Sequence, residues 1–187
     1  MDTEFVFGYG SLAALAGHRP TRSFHRDGYV TDLEGYARGW GVAMDNRRDL
    51  PGYKSYRAPG GRRPAVAVAF LDVRACAGTQ VNGVCTPVDS AQLHGLDARE
   101  RNYERTEVTD MVAVARGRVW AYVGRAESRD RLTDARARGT AVIDAGYLGL
   151  VSDAFRALGP AEYERCSPSL EPDGLPVLAL RRIELPG

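Results

Sequence analysis

The feature that most constrains the fold is a buried strand that runs directly into a glycine-rich turn. Residues Glu4 to Tyr9 contain the aromatic and β-branched run Phe5-Val6-Phe7, which predicts a buried strand. A glycine stands on each side of Tyr9, so the backbone can turn sharply there. We therefore expect a first strand that ends in a tight turn, with the rest of the chain supplying its neighbours.

The turn also matches a dinucleotide-binding pattern. The run Phe7-Gly8-Tyr9-Gly10-Ser11-Leu12-Ala13 fits G-x-G-x-x-A after a strand. The context does not fit, because Gly17 and Pro20 interrupt the following helix and the remaining chain is rich in strands. Glycines at a sharp turn also let backbone N–H groups, here those of Ser11 and Leu12, converge on a carboxylate or an oxyanion. A glycine-rich strand exit without a ligand is the structural alternative.

The segment from Tyr29 to Met44 predicts a second extended stretch. Gly35, Gly39 and Gly41 mark points where this strand can bend or bulge, as small barrels require. Other segments predict a strand pair (Ala65 to Val73 with Gln80 to Pro87), a hairpin (Val108 to Val123, turning at Arg116-Gly117-Arg118) and a final strand (Leu175 to Leu185). Asp45 to Pro64 lacks any period and predicts a long surface loop.

Two helices have clear boundary signals. Asp89 followed by Gln92 resembles a capping box and predicts the start of a short helix. Apolar residues at helical spacing predict a second helix from Ala145 to Leu158, with Gly159-Pro160 as its stop. No internal repeat is present, so we expect one domain over residues 1–187.

Composition and charge exclude several classes of protein. The chain has 25 basic and 24 acidic residues, and a net charge of +1 cannot build the positive field that a nucleic acid requires. The longest apolar run, Ala65 to Leu71, is far short of the roughly 20 residues that span a bilayer. Three unpatterned cysteines (Cys76, Cys85 and Cys166) and an N-terminus without a leader pattern predict a cytoplasmic protein without a membrane span.

One carboxylate shares a helix face with leucines. Leu93, Leu96 and Glu100 are spaced by three and four residues, so their side chains point the same way. A glutamate held among apolar groups has a raised pKa, which suits a general base near neutral pH. Tyr103 follows closely and offers a hydroxyl. The plainer alternative is a frayed helix end at which Glu100 pairs with its neighbour Arg99 or Arg101.

Two other carboxylates compete with this candidate. Glu104 stands among arginines and is expected to be solvated. Glu107 shares a strand face with Tyr103 and Arg105, so it is expected to support the site at most. Glu100 is therefore the preferred general base.

Taken together, the turn Phe7-Gly8-Tyr9-Gly10-Ser11-Leu12, the segment Leu96-Asp97-Ala98-Arg99-Glu100, and then Tyr103 and Glu107 resemble the γ-glutamylcyclotransferase family. The family shares a YGSL-type turn and a catalytic glutamate in an LDxxE segment. Tyr147-Leu148 and Leu158 to Tyr163 resemble its C-terminal helical part. The resemblance implies an α+β fold, a small mixed β-barrel flanked by helices. It also implies cyclisation of a γ-glutamyl group to 5-oxoproline with release of the attached amine, without metal or cofactor.

The resemblance also implies roles for individual residues. Glu100 would be the general base and acid, and the N–H groups around Tyr9, Gly10, Ser11 and Leu12 would bind the α-carboxylate and the oxyanion. Tyr103 and Tyr147 would line the pocket and bind the γ-glutamyl head. From its pattern alone, Tyr147 fits a core aromatic residue of an amphipathic helix equally well.

The leaving amine and the function class stay open at this stage. Ala13-Ala14-Leu15 replaces the bulky apolar residue and Trp of the glutathione-degrading branch, and Leu12 replaces the Asn of the YGSN branch. The candidate sources of the amine are an amino acid, a peptide-like metabolite, a protected biosynthetic intermediate and a polyamine, and we expect selection among them at the loop that carries Tyr53 and Tyr56. A non-catalytic module that binds a γ-glutamyl or other small carboxylate is the alternative function.

A hydrolase with Ser11 or Cys85 as nucleophile is a third alternative. It is disfavoured because the histidines, His18, His25 and His94, do not stand in a recognised nucleophile–base pattern.

Overall fold

The chain folds as a mixed β-sheet that helices flank. The computed structural model describes residues 3–16, 28–49 and 51–186. The strands are β1 (Glu4–Gly8), β2 (Tyr29–Asp45), β3 (Lys54–Arg57), β4 (Ala67–Val88), β5 (Tyr103–Glu107), β6 (Arg118–Gly124), β7 (Ala141–Asp144), β8 (Val177–Leu178) and β9 (Arg181–Glu184). The α-helices are α1 (Ser90–Arg99), α2 (Ala126–Ala137), α3 (Ala145–Leu158) and α4 (Pro160–Cys166), and 3₁₀ helices lie at Ser11–Ala16, Thr109–Met111 and Ser167–Leu170. The predicted break at Gly17 and Pro20, and the histidines His18 and His25, lie outside the described residues.

The main sheet has seven strands in the order β5-β6-β1-β4-β7-β8, with β2 pairing to β4. The central strand β1 is antiparallel to β4 and parallel to β6. Phe7, in the middle of β1, is fully buried, as is Phe155 of α3 in the same core cluster. The expected α+β class, with a mixed sheet flanked by helices, is therefore confirmed. Within the described ranges, the two ends of this path, β5 and β8, do not pair with each other.

Strand β2 bends where two of its glycines stand. The register with β4 shifts between Glu34 and Tyr36, at Gly35, whose φ is +74°, and again between Trp40 and Val42, at Gly41. A Cβ on Gly41 would lie 2.4 Å from the Cβ of Asp72, so only glycine fits there. The prediction that glycines bend this strand is confirmed at these two positions.

The predicted strand pair from Ala65 to Pro87 is wrong. Both halves belong to the single strand β4, and both pair with β2 rather than with each other. Residues 76–79 have no partner in β2, and Thr79 Oγ1 donates to the carbonyls of Tyr36 and Cys76 at 2.8 and 2.7 Å. Residues 76–79 therefore form a bulge, because β2 is long enough to pair with β4 on both sides of them.

The predicted surface loop from Asp45 to Pro64 contains a short strand. Strand β3 pairs with β9 near the C-terminus, and Tyr53, Ser55 and Tyr56 are buried. The buried Asn46 accepts from the Tyr56 N–H at 2.7 Å and donates to the Tyr56 carbonyl at 2.9 Å. The local sequence does not reveal this strand, because its pairing partner lies more than a hundred residues away.

Other boundaries are partly as predicted. Helix α3 has the predicted bounds, and Gly159 ends it with a φ of +126°, but Pro160 begins α4 rather than stopping the helical part. The hairpin is formed by β5 and β6, so its incoming strand lies before Val108, and Val108 is buried beside a 3₁₀ helix. The predicted C-terminal strand divides into β8 and β9, which belong to different sheets.

Candidate functional site

One cleft brings all the predicted site residues together. It is narrow, with an empty volume of about 260 Å³ that includes its open mouth. Its predicted lining residues are Tyr9, Gly10, Ser11, Leu12, Glu100, Tyr103 and Tyr147, and Leu71 and Tyr122 complete the wall. Leu71 and Tyr122 were missed because they lie inside strands, where their spacing resembles that of any buried residue.

The glycine turn presents free backbone donors to this cleft. A Cβ on Gly8 would lie 2.6 Å from the Ala13 nitrogen, so the chain can fold back on itself only at a glycine. A 3₁₀ helix starts at Ser11, and the first N–H groups of a helix have no partner within it. Across the described ranges, no backbone acceptor bonds the N–H groups of Gly10, Ser11 or Leu12, and the Ser11 N–H faces the Tyr147 hydroxyl. The turn can therefore bind an anion.

Glu100 caps the C-terminal end of helix α1 and lines the same cleft. The helix starts at the predicted capping box, in which Asp89 accepts from the Gln92 N–H at 2.7 Å. Leu93 and Leu96 are buried, and the Glu100 N–H donates to the Leu96 carbonyl at 2.8 Å. The Glu100 side chain is only 11% exposed. Its position follows from the leucines, because they fix which way the last turn of the helix faces.

Glu100 also makes the contact that the plainer alternative predicted. Its Oε1 lies 3.1 Å from Arg99 Nε. The ion pair and the place in the cleft are compatible, since the same carboxylate pairs with Arg99 and lines the cleft. The rival carboxylates, Glu104 and Glu107, are exposed and do not line the cleft.

Three tyrosines, the buried Tyr9 and the half-buried Tyr103 and Tyr147, are anchored to backbone groups around the cleft. Tyr103 donates its hydroxyl to the Leu71 carbonyl at 2.7 Å, and the Leu71 N–H donates to the Tyr147 hydroxyl at 3.3 Å. Leu71 lies in a stretch of β4 that neither β1 nor β7 pairs, so these backbone groups are free for side chains. Tyr9 donates to the Tyr122 carbonyl at 2.5 Å.

Burial keeps these hydroxyls protonated. It raises the pKa of Tyr9, Tyr103 and Tyr147 well above the usual value near 10, and the negative charge of Glu100 adds to the effect at each of them. The Tyr103 and Tyr9 protons are already used in hydrogen bonds. The Tyr147 hydroxyl accepts from Leu71, and its own proton has no acceptor in the described part of the chain. Tyr147 is therefore the hydroxyl that can donate to a ligand.

Tyr147 belongs to an aromatic group as well as to the cleft. Its ring meets Phe70 edge-on at 5.0 Å and Trp40 at 6.0 Å between centroids. The ammonium of Lys54 lies 4.3 Å from the Phe70 ring centroid. Burial lowers the pKa of Lys54 to about 8, and the charge of Glu100 opposes that decrease.

The nucleophilic alternatives find no histidine among the described residues that line this cleft. His94 is exposed on α1 and does not line it, and Cys85 is buried elsewhere, with its pKa raised to about 11 by burial. Within residues 3–16, 28–49 and 51–186, no group of three or more His, Cys, Asp or Glu side chains could hold a metal ion. No helix in these ranges is long and apolar enough to cross a membrane.

Several solved structures share this fold. A protein described as a gamma-glutamyl cyclotransferase aligns over 92% of this chain and 90% of its own, with a TM-score of 0.54 and 14% identity. An uncharacterized protein from Homo sapiens aligns over 89% and 88%, with a TM-score of 0.53 and 16% identity. YkqA from Bacillus subtilis aligns over 95% of this chain and 56% of its own, with a TM-score of 0.59 and 14% identity. At these identities the likeness concerns the fold.

Sequence comparison identifies the family. A search of curated proteins finds no significant match. The family model described as "Gamma-glutamyl cyclotransferase, AIG2-like" matches residues 6–140, which is more than half of the chain and includes both the glycine turn and Glu100. The chain therefore belongs to the gamma-glutamyl cyclotransferase, AIG2-like family.

Proposed function

We propose that this protein cyclises the γ-glutamyl group of a small molecule to 5-oxoproline and releases the attached amine. One observation carries the proposal: a shielded carboxylate, Glu100, shares a small cleft with a turn whose N–H groups bond no backbone acceptor in the described ranges. A cyclisation needs both parts, because a proton must leave the nucleophile while negative charge develops on the carbonyl oxygen.

The substrate supplies both reacting groups, so the protein mainly has to hold them together. The α-amine attacks the γ-carbonyl carbon of the same molecule, and such positioning can contribute about 7–11 kcal/mol to lowering the barrier. The small cleft suits a folded γ-glutamyl head with the leaving amine directed to its mouth. The N–H groups of Gly10, Ser11 and Leu12 bind the α-carboxylate and the oxyanion, and Tyr147 donates its free proton to one of them.

Glu100 transfers the protons. The α-ammonium, with a pKa of about 7.7–8.0, gives a proton to the carboxylate before it attacks. The new C–N bond closes the ring, and the bond to the leaving nitrogen breaks as Glu100 returns the proton to it. The α-nitrogen loses two protons in all and the leaving nitrogen gains two. A carboxylate that accepts and returns one proton in each transfer ends the cycle as it began.

Tyr9 and Tyr103 have a supporting role in this proposal. Their hydroxyls are bound to the Tyr122 and Leu71 carbonyls, so they shape the wall while their oxygens remain able to accept a hydrogen bond. The protein is also proposed to work in the cytoplasm, in keeping with three free cysteines, of which Cys76 is exposed.

The test is release of 5-oxoproline from a panel of γ-glutamyl amino acids, peptides and amines. We expect turnover by the wild type and a loss of about 10²–10⁴-fold in Glu100→Gln, which keeps the size and removes the base. Glu104→Gln is the matched control, because it changes an exposed carboxylate four residues away that does not line the cleft.

Three outcomes would contradict the proposal. Equal losses in both variants would mean that Glu100 has no special role. Free glutamate in place of 5-oxoproline would mean that water is the nucleophile. Binding of γ-glutamyl compounds, measured by calorimetry, without turnover of any panel member would favour the non-catalytic binding module.

A further inference from the structure

Arg38 of strand β2 holds the side of the glycine turn that faces away from the cleft. Its Nη1 donates to the Tyr9 carbonyl at 3.1 Å and to the Asn82 carbonyl at 3.0 Å. Its Nη2 donates to Asn82 Oδ1 at 2.9 Å, and its Nε donates to Ser169 Oγ at 2.7 Å. Four of the five N–H groups of the guanidinium are therefore used.

This guanidinium is shielded and has only neutral acceptors. It packs 4.8 Å from the ring centroid of Phe155, and burial lowers the pKa of Arg38. No carboxylate of the described residues lies within 4.0 Å of it. Its charge therefore acts on the carbonyls it touches, and hydrogen bonds from a charged donor are about twice as strong as neutral ones.

The Tyr9 carbonyl and the Gly10 N–H belong to one peptide unit. The described chain contains no cis peptide bond, and in a planar trans peptide the carbonyl and the N–H point in opposite directions. Arg38 holds the carbonyl and does not line the cleft, whereas Gly10 does. The Gly10 N–H is therefore turned towards the cleft, where no protein acceptor among the described residues bonds it.

We propose that Arg38 is a positioning residue of the cyclotransferase cleft, which fixes the Tyr9–Gly10 peptide so that the Gly10 N–H is directed at the substrate. The inference rests on the proposed function. The charge–carbonyl hydrogen bond also polarises the peptide and so strengthens its N–H as a donor, because linked hydrogen bonds reinforce one another. The Tyr9–Gly10 peptide can adopt many orientations because Gly10 has no side chain, and the hydrogen bond from Arg38 restricts it to one of them.

The first experiment removes the guanidinium and then returns it in solution. Arg38→Ala is expected to lower kcat/KM for 5-oxoproline formation by about 10- to 100-fold, since loss of one oxyanion donor costs about 10²–10³-fold and a misdirected donor costs less. Guanidinium chloride, at concentrations well below those that unfold the protein, is expected to restore activity several-fold. Sodium chloride at the same ionic strength is expected to restore none.

The matched control is Ser169→Ala, which removes one partner of Arg38 and leaves the contact to Tyr9 in place. It is expected to keep at least half of the wild-type kcat/KM. Wild-type activity in Arg38→Ala, an equal loss in Ser169→Ala, or a loss that guanidinium does not restore would each overturn the proposal.

A second variant and readout apply if Arg38→Ala does not fold, and they do not depend on turnover. Arg38→Lys replaces the planar guanidinium by a single ammonium. In the amide NMR spectrum of ¹⁵N-labelled protein, the Gly10 signal is therefore expected to shift more than that of Gly139, a remote surface glycine. An unmoved Gly10 signal would overturn the proposal. If the wild type released no 5-oxoproline, the proposed function would fail, and this signal would still report whether Arg38 orients the peptide.

Discussion

Lys54 is expected to make the stability of this protein rise with pH above neutrality. It is the only lysine in a chain whose other basic residues are arginine. Its ammonium lies 4.3 Å from the Phe70 ring centroid and 5.3 Å from that of Tyr53. No carboxylate within the described ranges comes within 4.0 Å of it. Burial thus removes water from a charge that has only aromatic faces as close partners.

The size of the effect follows from the pKa of this group. Burial lowers it from 10.5, the value for an exposed lysine, to about 8. Each pKa unit corresponds to about 1.4 kcal/mol, so a shift of roughly two and a half units amounts to about 3 kcal/mol. Between about pH 8 and pH 10.5 the unfolded chain binds more protons than the folded one. The contribution of Lys54 to stability is therefore present above pH 10.5 and is lost as the pH falls through about 8.

The assay is urea unfolding of the wild type and of Lys54→Met at a series of pH values. From about pH 7 to about pH 9.5, the free energy of unfolding of the wild type should rise by about 2 kcal/mol relative to that of the variant. The other ionisable groups are the same in both proteins, so their effects cancel in the difference.

Lys54→Arg provides the matched control, because arginine stays charged over the whole range and should show no such rise. A difference between the wild type and Lys54→Met that stays constant with pH would refute the reasoning. It would mean that the Lys54 ammonium is solvated in the folded protein.

Two further predictions concern groups that hold the cleft walls in place. Asp72 accepts from the Gly124 N–H at 2.7 Å and from Arg129 Nε at 2.8 Å while only 1% exposed, so Asp72→Asn should lower the free energy of unfolding by about 3 kcal/mol. The exposed Asp153→Asn should change it by less than about 1 kcal/mol, and equal effects in urea unfolding would contradict the argument. Asp89→Ala removes the cap of the helix that ends at the catalytic candidate and should cost about 1 kcal/mol. An unchanged melting temperature in calorimetry would show that the cap does not stabilise the protein.

Much of the cleft could be predicted because its parts are local. The fold-back at the glycine turn rests on a close approach between residues five positions apart, Gly8 and Ala13. The direction of Glu100 depends on a helix that starts at a capping residue and buries Leu96. Each of these signals lies within one turn or one helix, so neighbouring residues suffice to predict it.

The groups that complete the cleft could not be predicted in this way. Leu71 contributes its backbone, which every residue has. Its N–H and carbonyl can bond the tyrosines because they lie in a stretch of β4 that neither β1 nor β7 pairs. Arg38 and Lys54 are ordinary basic residues in the sequence, and only their neighbours in space distinguish them. Strand β3 forms by pairing with β9, and β9 (Arg181–Glu184) lies at the other end of the chain.

By itself, the sequence determined the glycine turn, the first strand, the bounds of helix α3 and the position of Glu100 at the end of a helix that buries leucines. Steric limits at glycines, helix caps and the spacing of apolar residues act between near neighbours, so they are already present in the order of the amino acids. Only the tertiary structure decided that β4 is continuous, that β3 forms, and that Arg38 and Lys54 lose water beside uncharged groups. Those outcomes depend on contacts between segments that are distant in sequence, and such contacts stabilise the protein only once the chain has packed.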